Sequence, residues 1–391
     1  MPDNLALYVL LVVALGIGYL LGRRERLKKS RDLGMVAEDY FKGLNHLLNE
    51  RHDLAIDTFV ESMAIDNDTV DTHLALGSLV RRRGEVDKAI RIHQNLLARP
   101  VLSADHRIKT ELELARDYLV AGLLGRAENL LLQLAGKSGS EKQVAQELLL
   151  EVYQREKEWE KAVVIGQELA RSDRSIRTRL AHFQCELAGH AIGDGDLRGA
   201  RAALAKGVGF DNQCARVHLV GAEIAFREKR YRDVQRELTK ARELDPELAQ
   251  EFLDLYRTAS GELDDQSGFV AFLELCLESA PILPVVETLA THIEGEQGAE
   301  KANEFVVDQL LRNPSLGGFV SLLRRLDKHG EPLPPDQLAL VRRFSQSLLH
   351  RQPGYRCKNC GFGGHTLMWQ CPICRSWGTI KPIVRAQNEE T

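Results

Sequence analysis

Apolar and small residues recur along this chain with a period near 34 residues. The stretch "DLAIDTFVESMAIDN" at 53–67 returns as "DKAIRIHQNLLARPV" at 87–101. Within each copy, bulky apolar residues follow a small residue at helical spacing, so each copy predicts an amphipathic helix. Gly43 and Gly77, also 34 residues apart, lie on the helical segments that precede these copies. The pattern therefore predicts helix pairs in which a small residue on one helix lets the other helix pack closely.

The same unit continues well beyond these two copies. One helix pair cannot bury its apolar face alone, so neighbouring pairs must stack. We therefore predict an all-α, tetratricopeptide (TPR)-type solenoid over residues 35–351, and another helical bundle is the alternative. The buried anchors follow one another at intervals of 33 to 38 residues. They are Ala55, Ala89, Ala127, Ala162, Ala200, Val234, Phe269 and Ala302.

An uncharged run precedes the solenoid at residues 5–22. As a helix it would span roughly 27 Å, enough to cross the hydrocarbon core of a membrane. A cleaved signal peptide needs positive charge before its apolar run, whereas here Asp3 precedes the run and "RRERLKKSR" follows it at 23–31. The positive-inside rule then places the rest of the chain in the cytoplasm. We predict a single-pass anchor at 1–22 and a basic juxtamembrane linker at 23–34.

The charge of the chain is divided unevenly. The 391 residues are 44% hydrophobic and carry a net charge of −4, yet residues 23–31 alone carry +5. With Asp3 counted, residues 32–391 carry −8. An acidic body argues against general nucleic-acid binding. The sequence also has no H-E-x-x-H, G-x-S-x-G or phosphate-binding glycine motif, so we expect no enzymatic activity.

Four of the seven cysteines form two C-x-x-C pairs near the C-terminus. Each pair is typical of a knuckle that aims two thiolates at one point, and two knuckles complete a closed tetrahedral site. The other three cysteines, which stand alone on helical segments, are expected to be small buried hydrophobes. The predicted metal ligands are Cys357, Cys360, Cys371 and Cys374, and the lone cysteines are Cys185, Cys214 and Cys276.

The two pairs predict a rubredoxin-like zinc ribbon over residues 352–385, followed by a tail at 386–391. So short a segment cannot bury a self-sufficient core, so its fold should depend on the metal. Iron in a rubredoxin-like electron carrier uses the same four ligands and is the alternative. The short segment between the pairs, and Arg375 where rubredoxin has glycine, favour Zn²⁺.

Residues 351–385 carry six basic side chains and no acidic one, with four aromatic residues among them. A TPR scaffold whose basic ribbon binds nucleic acid is therefore an alternative function, with the indoles stacking on bases. We favour docking of the ribbon on the acidic solenoid, with Tyr355, Trp369 and Trp377 at the interface, and expect no nucleic-acid partner.

A concave groove is the surface that a TPR array offers to a partner. Helical counting from Gly77 predicts which side chains face it, although such charges are also typical of a solvated face. The candidate partner-binding residues are Arg81, Arg116, Glu151, Gln154, Glu223 and Phe226.

An N-terminal span, TPR-like pairs and a terminal "CKNC"/"CPIC" ribbon, in this order, resemble the lipopolysaccharide assembly protein B family over the whole chain. The resemblance implies a non-enzymatic adaptor in the bacterial inner membrane with its C-terminal domain in the cytoplasm. Its partners would be a membrane AAA+ zinc protease, the lipid A pathway deacetylase delivered for degradation, and an inner-membrane protein that senses lipopolysaccharide. The family's metal ligands carry over to the four paired cysteines, and an oligomer is possible.

Overall fold

The computed structural model describes residues 69–100, 102–137, 139–313, 315–329 and 353–383. In these ranges the chain forms fifteen α-helices, one 3-10 helix and three short β-strands, which confirms the helical class and the small terminal ribbon. Among the described helices, none combines the length and hydrophobicity that crossing a membrane requires. The predicted span at 5–22 lies outside the described residues, as do the linker and the tail.

The chain divides between Glu158 and Trp159 into two compact units. In the first unit the described helices are α1 (Val70–Arg82), α2 (Val86–Leu97), α3 (Ala104–Val120), α4 (Leu124–Ala135) and α5 (Ser140–Glu156). In the second unit they are α6 (Trp159–Leu169), α7 (Ile176–Gly193), α8 (Leu197–Phe210), α9 (Ala215–Arg227), α10 (Tyr231–Leu244), a 3-10 helix (Pro246–Glu251), α11 (Leu253–Glu262), α12 (Gln266–Ser279), α13 (Leu283–Gln297), α14 (Ala299–Arg312) and α15 (Leu316–His329).

The predicted anchors occupy one equivalent position in the described helices. Each is the fourth residue of an even-numbered helix, and each is at most 4% exposed. Burial at the same point of every pair confirms the repeat that the sequence predicted. These anchors are Ala89, Ala127, Ala162, Ala200, Val234, Phe269 and Ala302, while Ala55 lies outside the described residues.

A single left-handed residue sits in the turn that joins the two helices of each pair. Glycine fills four of these turns at φ between +74° and +93°, and larger residues fill three at φ between +55° and +59°. Glycine adopts this conformation without steric cost, which explains its return at the repeat period. The turn residues are Gly84, Gly122, Lys157, Gly195, Lys229, Asp264 and Gly298.

Gly77 shows why a small residue is needed on the first helix of a pair. A Cβ atom built on Gly77 would lie 2.4 Å from Nε2 of His93 on α2. His93 cannot move away easily, because its ring is fully buried and its Nδ1 lies 2.5 Å from Oδ2 of Asp117 on α3. Nη1 of Arg81 donates to the other carboxylate oxygen at 2.8 Å. The buried charges are thus paired, as burial in a low-dielectric interior requires.

The core of the second unit is centred on the 3-10 helix and the helices around it. Asp245 and Pro246 end α10, because proline has no amide hydrogen for the helix to continue. Beyond this break, Phe252 and Tyr256 pack on Phe272, and the Tyr256 and Phe272 rings stack with centroids 3.8 Å apart. The break gives the solenoid a short irregular edge, on which the ribbon lies.

The ribbon is a three-stranded antiparallel sheet in the order β2-β1-β3. Its strands are β1 (Tyr355–Cys357), β2 (Gly363–Gly364) and β3 (Ile380–Pro382). Its buried core consists of Cys357, Cys371 and Ile380. Two of these three residues are predicted metal ligands, and the apolar side chains packed against them, Tyr355, Phe362, Leu367 and Met368, are only partly buried.

Candidate metal centre and ribbon docking

Two equivalent knuckles position the four sulfurs. In the first, the amide of Gly361 donates to the carbonyl of Cys357 at 2.9 Å; in the second, the amide of Arg375 donates to the carbonyl of Cys371 at the same distance. Both donors have left-handed backbones, with φ of +78° at Gly361 and +58° at Arg375. Arg375 therefore occupies the same position in the second knuckle as Gly361 does in the first, and a residue with a Cβ atom is strained in this left-handed conformation.

The four sulfurs meet at one point. The Sγ atoms of Cys357, Cys360, Cys371 and Cys374 all lie within 4.8 Å of one another. The Cys357–Cys374 and Cys360–Cys371 pairs are 3.7 and 3.6 Å apart. A tetrahedral ion with metal–sulfur bonds of about 2.3 Å would separate its sulfurs by roughly 3.8 Å. The cluster thus fits one four-coordinate metal ion and leaves no ligand position open.

The sulfurs also differ in their electrostatic environment. Hydrogen bonds from the side chain and backbone of Ser376 lower the pKa of Cys374 to about 5. At Cys360 the backbone amide of Phe362 lowers the pKa, but desolvation and the neighbouring sulfurs outweigh it and raise the pKa to about 11. Because four thiolates repel one another at this separation, a bound cation would favour the ionisation of all four.

Aromatic contacts fix the ribbon to the solenoid. Trp377 stacks on His182 of α7, with ring centroids 5.1 Å apart, and meets Phe183 and Trp159 edge-on at 5.7 and 6.0 Å. The other indole, that of Trp369, packs against the core of the second unit. The Arg216 guanidinium lies over this ring, 5.0 Å from its centroid. Both indoles are thus engaged with the solenoid rather than presented to a nucleic acid.

Polar contacts continue the interface along the 3-10 helix. The Tyr355 hydroxyl donates to Glu251 at 2.5 Å and accepts from Gln250 at 2.9 Å. Lys358 lies 3.3 Å from Glu247, and Lys381 forms an ion pair with Asp245. The sequence-based prediction that Tyr355, Trp369 and Trp377 dock on the acidic solenoid is confirmed.

The solenoid side of this interface was not predicted. Burial lowers the pKa of His182 to about 3, and the Arg216 charge acts in the same direction, so the ring stacks as neutral imidazole. The one local signal was the "LDPE" helix break at 244–247, which places Asp245 and Glu247 outside regular helix. Nothing in the repeat pattern distinguished His182 from the other eleven histidines of the chain.

The terminal ribbon and the whole chain both have known relatives. A family model described as a rubredoxin metal binding domain matches residues 355–382. Lipopolysaccharide assembly protein B of Escherichia coli K12 is 35% identical over 380 residues, which are 96% of this chain and 97% of that protein. Its Haemophilus influenzae counterpart is 31% identical over 394 residues, covering 98% and 99%. The chain belongs to the lipopolysaccharide assembly protein B family.

Solved structures with some likeness include two TPR proteins. The C-terminal part of a TPR repeat-containing protein from Cytophaga hutchinsonii is 14% identical, with 65% of this chain and 93% of that chain covered and a TM-score of 0.38. A TPR protein from Parabacteroides merdae is 11% identical, with 72% and 100% covered and a TM-score of 0.34. Both TM-scores are too low to support a shared arrangement of repeats.

The six predicted groove residues of this family member lie in different environments. Arg81 is only 12% exposed and bonds to Asp117 and Glu113. Gln154 is buried and donates to the Leu150 carbonyl. The other four are more exposed to solvent. Arg116 pairs with Glu113, Glu151 pairs with Arg155, Glu223 pairs with Arg227, and Phe226 packs on Tyr231. Their role in binding a partner stays a prediction.

Proposed function

We propose that this chain is a non-enzymatic inner-membrane adaptor that regulates lipopolysaccharide synthesis. In this proposal it presents the lipid A pathway deacetylase to a membrane AAA+ protease, and an inner-membrane protein that senses lipopolysaccharide restrains it. The observation that carries the proposal is the 35% identity to lipopolysaccharide assembly protein B over 96% of the chain. The aligned region takes in both the helical units and the ribbon.

The architecture suits presentation of one protein to another. Within each unit, stacked helix pairs supply a helical surface of the kind that other solenoids use to bind protein segments. The ribbon is fixed to the second unit by indoles and ion pairs, so it adds to that surface. An anchor at 1–22 would hold adaptor and protease in one membrane, where effective concentration can raise apparent affinity 10²-fold or more.

We further propose that the four cysteines hold Zn²⁺ as a structural ion. A closed four-sulfur site has no position for a substrate or water, so the metal would supply folding energy rather than chemistry. In this role Cys357, Cys360, Cys371 and Cys374 keep the ribbon, and hence Trp369 and Trp377, in the docked geometry.

The half-life of the deacetylase after translation is blocked tests the function. Cells depleted of the native adaptor would carry the full chain, a form starting at Met35, or a form with a foreign span of the same orientation joined at Arg23. We expect the full chain to restore rapid turnover, the Met35 form to fail, and the foreign span to restore most of the activity. Unchanged deacetylase half-life with and without the full chain would refute the adaptor role.

A further inference from the structure

A four-residue segment at 376–379, which we call the bridge, joins the second knuckle to β3. Its first and last residues contact the sulfur cluster. Ser376 hydrogen-bonds to Cys374 through both its side chain and its backbone. The Oγ1 atom of Thr379 lies 3.3 Å from Sγ of Cys357. The bridge therefore touches one sulfur of each knuckle.

The two middle residues of the bridge face the solenoid instead. The indole of Trp377 stacks on the ring of His182, with centroids 5.1 Å apart. Gly378 approaches the same ring so closely that a Cβ built there would lie 3.3 Å from Nε2 of His182. One imidazole of α7 is thus contacted by two consecutive residues whose neighbours on either side contact the sulfurs.

Backbone hydrogen bonds attach the bridge to both knuckles. The carbonyl of Ser376 accepts from the amide of Cys371 in the second knuckle at 2.9 Å. The carbonyl of Thr379 accepts from the amide of Lys358 in the first knuckle at 2.8 Å. Because the bridge is held at both ends, a shift of its indole would also shift the groups that contact the sulfurs.

The hydroxyl of Thr379 is placed to donate to the sulfur of Cys357. A metal-bound thiolate can only accept a hydrogen bond, so Thr379 would be the donor in the loaded site. The carbonyl of Ser376 is a second acceptor for this hydroxyl at 3.4 Å. The thiolate is closer and charged, and is therefore the stronger acceptor of the two.

Asn359 links the first knuckle to the same bridge. Its Nδ2 donates to Oγ of Ser376 at 3.0 Å, and both residues hydrogen-bond to Cys374. Partners of this kind orient metal ligands, and the loss of one typically weakens metal binding by about 10- to 100-fold. The contacts of the bridge are therefore large enough to matter for metal affinity.

We propose that the bridge couples metal binding to ribbon docking, with Thr379, Ser376 and Asn359 as the positioning residues. The stack of Trp377 on His182 holds the bridge where its hydroxyls meet two of the sulfurs. The docked ribbon therefore binds Zn²⁺ more tightly than a released ribbon, and by linkage Zn²⁺ favours docking by the same factor. The inference rests on the proposed structural zinc and deepens it, because it makes zinc affinity depend on a contact with the solenoid.

The first test changes the ribbon side of the coupling. Zinc affinity of the full chain, solubilised in detergent, would be measured by competition with a chromophoric chelator. Thr379→Val removes the hydroxyl but keeps the branched shape, whereas Thr379→Ser keeps the hydroxyl. We expect about tenfold weaker zinc binding in Thr379→Val and nearly unchanged binding in Thr379→Ser. Equal affinities in the two variants would overturn the proposal.

The second test changes the solenoid side, which supplies no sulfur to the cluster. His182→Ala removes the ring under Trp377, and His190→Ala, at an exposed residue of the same helix, is the matched control. We expect zinc binding about fivefold weaker in His182→Ala and unchanged in His190→Ala. Far-UV circular dichroism would verify that the helices of both variants remain folded.

The outcomes separate the coupling from the proposals on which it rests. Zinc affinity at the wild-type level in His182→Ala would overturn the coupling and leave the structural ion in place. Equal losses in His182→Ala and His190→Ala would trace the effect to general loosening of α7 and would also overturn it. A wild-type chain that retains no zinc would refute the structural ion together with the coupling. The adaptor role is tested separately by the half-life of the deacetylase.

Discussion

The imidazole of His182 and the indole of Trp377 stack with their centroids 5.1 Å apart and their planes 27° apart. One residue lies on α7 of the solenoid and the other lies between the second knuckle and β3 of the ribbon. Gly378 continues the contact, because a Cβ built there would lie 3.3 Å from Nε2 of His182. The stack therefore joins the metal-bearing segment to the helical body.

Trp377→Ala should release the ribbon from α7. Truncating a packed indole costs about 3–5 kcal/mol, and we expect about 2–4 kcal/mol here because Trp377 is only partly buried. Hydrogen exchange of the amides in α7 and β1 would measure the loss. Trp377→Phe, which keeps a ring in the same place, should lose distinctly less. Equal protection in all three proteins would show that the stack does not hold the ribbon.

The cysteines should fall into two chemical classes. Burial raises the pKa of both Cys185 and Cys276 to about 12, so these thiols should not react with a thiol reagent in the folded protein. The four clustered cysteines should react only after a chelator removes the metal. Elemental analysis should find about one zinc per chain. Iron with a red-brown absorption would instead favour the electron-carrier alternative.

Arg375→Gly should strengthen metal binding. Arg375 holds φ at +58°, a conformation that glycine adopts without a Cβ clash. We expect a gain of about 0.5–1 kcal/mol, seen as roughly two- to fivefold slower metal transfer to a competing chelator. Arg375→Ala removes the same side chain but retains Cβ, so it should show no gain. A gain of the same size in Arg375→Ala would trace the effect to the side chain instead.

Gly77→Ala should destabilise the first unit. Its new methyl group would lie 2.4 Å from Nε2 of His93, whose ring is held by Asp117. Overpacking of this kind costs about 1–3 kcal/mol. Gly125→Ala on α4 is the matched control, because a Cβ there meets nothing within 4 Å and alanine favours helix. Hydrogen exchange of the α1 and α2 amides should accelerate in the first variant alone.

Glu113 should make the first unit sensitive to acid. Burial raises the pKa of Glu113, but hydrogen bonds from Arg81 and Ser78 outweigh burial and hold the pKa below its usual value. Because the pKa of Glu113 is lower in the folded state than in the unfolded state, its ionised carboxylate stabilises the folded state above the unfolded pKa of about 4.3. This stabilisation is lost as the pH falls through the folded pKa.

Glu113→Gln should therefore cost about 1–2 kcal/mol at pH 7, and this cost should shrink as the pH is lowered from 7 towards 3. Hydrogen exchange of the α3 amides, corrected for the intrinsic pH dependence of exchange, would follow the difference between the two proteins. A difference that stays constant across this range would mean that the carboxylate charge is irrelevant.

Features that are local in the chain could be predicted from the amino-acid sequence. The buried position of each anchor follows from a fixed offset within a repeat, so Ala89 and Ala302 could be placed without knowing what covers them. The knuckles are equally local, because two residues between cysteines set their geometry. Aromatic residues in a basic, acid-free ribbon were enough to predict docking on an acidic body.

Contacts between residues far apart in the chain depend on how the helices and the ribbon pack. Lys381 pairs with Asp245, 136 residues earlier, and Trp377 finds His182, and no common period relates these segments. Packing also explains why Arg81 and Gln154, placed on the groove face by helical counting, are largely covered by neighbouring side chains. Helical periodicity fixes the direction in which a side chain leaves its helix, but its burial depends on the helices stacked against it.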